Sequence, residues 1–178
     1  MRLIMIIGPS GSGKSSLARV LGSRLGLPVV HLDQAFWRPD WVKPDADEWR
    51  VQVAGLAARD AWIMDGSYSS TMDLRLPRAH AVVWLDLPRR VYFPRVVWRS
   101  LRSYGRVRPD LGPGCRERFD PSFFRDWVWT YPRRRARDQE LMAKLPEGVT
   151  GISLRSRRDV RQFVAGLPAS LEGDSAST

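Results

Sequence analysis

The sequence predicts a three-layer α/β/α domain built on a five-stranded parallel sheet. Three observations predict it. Five short apolar runs alternate with helical stretches along the 178 residues. The two most continuous runs, LIMII and AVVWL, carry no polar break, as strands buried on both faces require. A glycine-rich turn joins the first run to the first helical stretch. Alternation of this kind gives parallel β-α-β units with helices on both faces of the sheet.

Each element has its own signal. Residues 2–7 form the first strand; the run ends at Gly8-Pro9, too short for a signal segment or a membrane span. Residues 14–25 form a helix with Leu17, Val20, Leu21 and Leu25 on one face and Gly26 just past its end. Residues 29–32 are a second strand. Asp45 or Asp47 caps a helix through about residue 59, with Trp49, Val53 and Leu56 as its apolar stripe. Residues 62–64 and 81–85 are the third and fourth strands. A helix follows Pro88, with Pro94 inside it as the place for a kink. Residues 104–118 carry three glycines and two prolines and read as a loop. A long helix spans about 121–144, interrupted near Pro132. Residues 149–154 are the fifth strand and 158–167 the last helix. No repeat or linker divides the chain, so a single domain is expected over 1–168, with a frayed polar tail at 169–178.

One cysteine, Cys115, excludes an internal disulfide framework and a Cys₄ zinc site. A reducing, cytoplasmic setting fits. The net charge of +10 is local. Residues 89–137 hold fourteen Arg against Asp110, Glu117, Asp120 and Asp126, an excess of ten that equals the charge of the whole chain. A basic balance confined to one segment points to an anion met by that segment, rather than to diffuse attraction to nucleic acid.

Residues 8–15, GPSGSGKS, match G-x-x-x-x-G-K-[ST] between a predicted strand and a predicted helix. In that pattern the glycines let backbone N–H groups turn inward onto phosphate oxygens at a helix N-terminus. Gly8, Pro9, Ser10, Gly11, Ser12, Gly13, Lys14, Ser15 and the adjoining Ser16 are therefore the expected contacts of a nucleoside triphosphate. Lys14 supplies charge at the β- and γ-phosphates and Ser15 a hydroxyl to Mg²⁺. ATP with Mg²⁺ is the expected cofactor pair.

Three carboxylates stand at or just past strand C-terminal ends, where a parallel sheet presents its ligands: Asp33, Asp65 and Asp86. Asp86 and Asp65 are the candidates for the metal shell, with Ser15. Asp33 is the candidate for holding or deprotonating an acceptor hydroxyl. Each residue type is also common as a helix cap or loop residue at such ends.

Arg95, Arg99, Arg102 and Arg106 are spaced to share one helical face, and Arg125, Arg133 and Arg137 do much the same on the next helix. Such a stripe either faces solvent or meets an anion; guanidinium forks match the oxygens of a transferring phosphoryl group. Trp49, Trp62 and Trp84 are expected in the core. Trp37 and Trp41 flank FWRPDW just after Asp33, a loop that either stacks on a ring-bearing acceptor or packs onto the domain. His31 and His80 are isolated and carry no assigned part.

Taken together, GPSGSGKS, Asp65-Gly66, and LDLP at 85–88 with Arg95 and Arg99 at seven and eleven residues beyond the proline resemble the adenylate-kinase-like branch of P-loop kinases. The pattern is closest to the group called topology modulation proteins, FlaR-like, through HLDxxFWxPxW at 31–41, DGxY at 65–68 and RPDxxxGCxER at 108–118. The resemblance covers residues 1 to about 167. It implies a P-loop NTPase fold with a helical substrate-side insert at about 34–60 and a short lid at about 104–120. It implies that Arg95 and Arg99 are catalytic, that Arg108 joins them and Lys14 around the phosphates, and that the turn at Arg155 borders adenine. It places Asp33, Trp37, Asp65, Gly66 and Tyr68 on the substrate side. Two segments differ from adenylate kinases: Ser67-Tyr68-Ser69 stands after the Asp-Gly, and HLD stands in place of TGD, which leaves the acceptor unassigned. The lid lacks the cysteines of zinc-bearing lids.

The expected activity is phosphotransfer from ATP–Mg²⁺ to a nucleotide or small-molecule acceptor. The alternatives are a nucleotide-dependent, DNA-associated regulator, against which no helix-turn-helix, zinc-finger or ribbon module is visible, and an ATPase without acceptor. No membrane span is expected, and the sequence does not give the oligomeric state.

Overall fold

The structure, a computed structural model, describes residues 1–167, so the tail expected at 169–178 and the domain end at 168 lie outside the described residues. The chain runs β1 (Leu3–Ile7), α1 (Lys14–Leu25), β2 (Val29–His31), α2 (Leu32–Phe36), α3 (Ala46–Ala57), β3 (Trp62–Asp65), α4 (Met72–Arg75), β4 (Ala81–Leu85), α5 (Arg89–Arg102), α6 (Pro121–Phe123), a π-helical turn (Phe124–Trp129), α7 (Tyr131–Ala143), β5 (Thr150–Leu154) and α8 (Arg157–Ala165). The five strands pair in parallel in the order β2-β3-β1-β4-β5. β1 lies at the centre, and every residue of β1, β3 and β4 is buried, which accounts for their unbroken apolar runs.

Side chains alternate across the sheet. Ile4, Ile6, Ile63, Val83, Leu85 and Leu154 pack against Leu17, Ala18 and Leu21 of α1, with Val160 and Phe163 of α8. Met5, Ile7, Trp62, Met64, Val82 and Trp84 pack on the other face against Ala57 of α3 and Leu141 and Met142 of α7. Each large side chain buried in this way contributes about 1.5–3 kcal/mol.

Several boundaries differ from the sequence expectation. Leu32 opens α2 instead of ending β2 and is fully buried with Trp49 and Val53. In α1 the buried face is Leu17, Ala18, Leu21 and Gly22, while Val20 is exposed. Gly22 lets the helix settle onto Val29, where a Cβ would stand 2.5 Å from a Val29 methyl group. α3 is capped by Asp45, whose carboxylate accepts from the Asp47 amide. α5 runs unbroken through Pro94, which lies on the exposed side of the helix. The interruption expected near Pro132 falls at Thr130, and Pro132 sits in the first turn of α7, where its missing N–H has no partner to lose. A capping box of Ser156 and Asp159 starts α8 at Arg157. Among the described residues no helix is long and apolar enough to cross a membrane.

Candidate functional site

β1 delivers the chain to the C-terminal edge of the sheet at Ile7, and residues 8–13 curl back into α1. Gly8 (φ 136°) passes so close to β4 that a Cβ would stand 2.7 Å from the Leu85 carbonyl oxygen. Only glycine fits both the angle and the space. The Gly8 amide donates to the Ser67 hydroxyl at 3.3 Å, and the Lys14 ammonium donates to the Pro9 carbonyl at 3.0 Å. Gly13 (φ 100°) precedes α1 with no side-chain cap, and the first turn holds no acidic residue. The first-turn amides of α1 therefore have no side-chain cap.

α5 crosses this loop. Arg95 donates to the Ser12 carbonyl and Arg99 to the Ser10 hydroxyl, each at 3.4 Å. Burial first, then the charge of Arg108, pulls the Arg99 pKa down; burial and Arg157 do the same for Arg95. Cations crowded in this way are relieved by an anion. The rest of the first stripe does not reach the loop, as Arg102 and Arg106 are exposed. In the second stripe Arg125 pairs with Asp126, and Arg133 and Arg137 are exposed.

The carboxylates take three different positions. Asp65 is the last residue of β3 rather than a residue past it, and its register partner on β2 is His31. Partners in register share a face, and His31 Nδ1 lies 2.9 Å from Asp65 Oδ2. Burial pushes the Asp65 pKa up, but His31, Lys14 and Ser15 together outweigh it and hold the carboxyl below its usual range. Asp33, in the first turn of α2, accepts from the Tyr68 hydroxyl at 2.6 Å. Its side chain is open to solvent, and the protein packed around it raises its pKa against the Tyr68 hydroxyl and Lys14. Asp86 is turned to the α7 side, where both its oxygens are taken by Arg135 at 2.6 and 2.7 Å. Arg155 stands 4.0 Å from it, with its side chain largely exposed.

The segment after Asp65-Gly66 is held by a buried cation. Arg75 donates to the carbonyls of Gly66, Ser67, Tyr68 and Thr71. Tyr68 lies at φ 26°, a rare angle for a residue with a Cβ, and this clamp fixes it there. Tyr68 packs in turn against Phe36 and Trp49 at ring separations of 5.0 and 5.2 Å.

The segment 104–118 touches the phosphate loop at one end and the FWRPDW loop at the other. The Ser15 hydroxyl donates to Asp110 at 3.3 Å. Arg108 is nearly buried between Asp110 (3.4 Å) and Glu117 (3.3 Å), and Ser100 of α5 donates to Glu117 at 2.8 Å. On the insert side the Trp41 indole donates to the Arg116 carbonyl at 2.9 Å, and Cys115 Sγ lies 3.0 Å from the Arg38 carbonyl. Trp37 and Trp41 meet edge to face at 5.3 Å, so the FWRPDW loop packs on the domain and on the lid.

Sequence reasoning missed His31, Ser67, Arg75, Asp110 and Arg135. The register of β2 on β3 would have found His31. Arg75 holds carbonyls of its own segment, which no motif marks, and Ser67, Asp110 and Arg135 depend on contacts distant in sequence.

No protein-family model and no curated protein sequence matches the chain. Solved structures do. A shikimate kinase from Acinetobacter baumannii, in complex with shikimate, is similar at a TM-score of 0.52 and 14% identity, covering 93% of this chain and 89% of that one. An unliganded sugar kinase from Janibacter sp. HTCC2649 is similar at 0.50 and 20%, covering 93% and 91%. The chain has the α/β/α fold of the P-loop kinases.

Proposed function

We propose that the chain is an ATP–Mg²⁺-dependent phosphotransferase that carries the γ-phosphoryl group to a hydroxyl of a nucleotide or small-molecule acceptor. One observation carries the reading: Lys14, Arg95 and Arg99 gather on the glycine loop, while Asp33, oriented by Tyr68, stands within the field of the same Lys14. One end of that arrangement fits a polyphosphate and the other a hydroxyl.

The residues fit the cofactor pair. The loop has no room for a Cβ at Gly8, and the uncapped start of α1 offers its amides to phosphate oxygens. Ser15 and Asp65 offer hard oxygen donors near the phosphate loop. Such donors suit Mg²⁺, which keeps most of its shell as water and substrate phosphate. Bound Mg²⁺ supplies charge neutralisation on the phosphates. Asp86, paired to Arg135, would join only by giving up that pair.

In this reading the three cations spread the charge of the transferring group over fixed donors. Asp33 accepts the acceptor's hydroxyl proton as the oxygen attacks the γ-phosphorus and ADP leaves. Arg108, held between two lid carboxylates, closes over the same space and excludes water. The backbone of the turn at Arg155, rather than its side chain, borders the base end of the nucleotide, and Trp37, Gly66 and Tyr68 line the acceptor side.

The test is ADP release measured over a panel of sugars, hydroxy acids, nucleosides and nucleotides. The expected result is acceptor-dependent turnover with at least one class, lost in Lys14→Ala. No acceptor-dependent turnover across the panel, with Lys14→Ala equal to wild type, overturns the reading.

A further inference from the structure

A cavity of about 340 Å³ lies beside the phosphate loop and is not part of it. It is bounded by the β4–α5 turn, the first turn of α5, the first turn of α7 and Arg155 beyond β5. Consecutive residues of β4 separate the two places. Leu85 faces α1 and is crossed by Gly8 of the loop. Trp84 faces α7 and donates its indole N–H to the Tyr131 hydroxyl at 3.2 Å. The cavity opens on the Trp84 side, between Tyr131, Tyr92 and Asp86.

Its chemistry is unbalanced. Three guanidinium groups, from Arg89, Arg135 and Arg155, line it against one carboxylate, Asp86. Arg135 takes both oxygens of Asp86, which leaves Arg155 at 4.0 Å with its side chain 74% exposed. Arg89 rests its guanidinium 4.0 Å above the Trp129 ring. Tyr92 forms part of the floor, is 1% exposed, and packs edge to face on Tyr131 at 5.7 Å. The remaining walls, Leu87, Pro88 and Pro132, are apolar.

We propose that this cavity is a second binding site, separate from the phosphate loop, for a small organic anion that carries a flat apolar ring. The anionic group lies between Arg89 and Arg155, and the ring lies on the prolines and the tyrosine floor. Guanidinium forks give such an anion charge-assisted bonds at an otherwise apolar site.

The test uses phenyl phosphate, titrated calorimetrically into the full chain carrying Lys14→Ala, so that the phosphate loop is weakened as a competing site. Saturable binding at one equivalent is expected. Adding Arg89→Gln and Arg155→Gln to that chain should weaken it at least about tenfold, the effect of losing charge-assisted bonds. Both side chains are exposed and make only surface contacts, with the Trp129 ring and with Asp86, so the melting temperature should fall by no more than a few degrees. Inorganic phosphate alone should bind more weakly than phenyl phosphate, because it leaves the apolar walls unused. The proposal is overturned if Lys14→Ala protein shows no saturable binding, or if the triple variant binds as tightly as Lys14→Ala alone.

Discussion

The Tyr68 hydroxyl donates to the Asp33 carboxylate at 2.6 Å, across 35 residues of sequence. The surrounding protein already raises the Asp33 pKa, and this hydroxyl opposes the rise. Tyr68→Phe should therefore raise it further. A general base works only when deprotonated, so the acid limb of the turnover profile should move to higher pH in Tyr68→Phe. Asp33→Asn should lower turnover by about 10²–10⁴-fold at every pH. A pH profile of kcat/KM for the three proteins checks both.

Arg99 and Arg102 lie on the same helix, but only Arg99 reaches the phosphate loop. Arg99→Gln should cost about 10²–10³-fold in kcat, the usual effect of removing one donor aimed at developing charge. Arg102→Gln should leave kcat within about twofold, as expected for a surface cation with no part in the site. Steady-state kinetics with ATP as the varied substrate separates the two.

Asp65 links pH to stability. Its folded pKa lies below the ordinary 3.8 because His31, Lys14 and Ser15 outweigh burial. A carboxylate depressed in this way contributes stability that is full above the unfolded pKa and is lost as pH falls through the folded one. Asp65→Asn lacks that contribution. The gap in melting temperature between wild type and variant should be widest above about pH 5 and should narrow below about pH 4. Thermal melts across that range show it.

Arg75 is fully buried and serves four carbonyl oxygens rather than a carboxylate. Arg75→Met should destabilise the fold by about 2–4 kcal/mol, since it leaves those acceptors buried and unpaired. Arg75→Lys should recover little, because an ammonium cannot fan across four acceptors as a planar guanidinium does. Urea unfolding gives the magnitude.

Gly112 of the lid lies against the Trp37 carbonyl oxygen, which a Cβ would overlap. Gly112→Ala should lift the lid from the insert. kcat should fall and KM rise together, each by about tenfold, as when closure is impaired. Proteolytic cleavage within 104–118 should quicken in the same variant, a readout independent of turnover.

The parts legible in the sequence are those whose cause is local. GPSGSGKS announces its loop because angle, space and helix start are set within eight residues. β1 and β4 were plain because burial on both faces removes every polar residue. Asp33, Asp65 and Asp86 could be placed at one edge because parallel topology sends every strand end there. Their partners could not. Asp86 meets Arg135 across 49 residues, and nothing in either segment marks the other. Periodicity assigns Val20 to the buried face, whereas the structure exposes it and buries Gly22 against Val29 instead. The start of α2 at Leu32 was hidden because an apolar residue after a strand reads as more strand.

Trp41, Arg38 and Trp37 of the insert are stitched to Arg116, Cys115 and Gly112 of the lid, while Asp110 of that lid bonds Ser15 at the phosphate loop. A flap fastened at both ends moves as one piece. Under the phosphotransfer proposed above, donor and acceptor would then share a single doorway, and its swing would shut water out of both halves together.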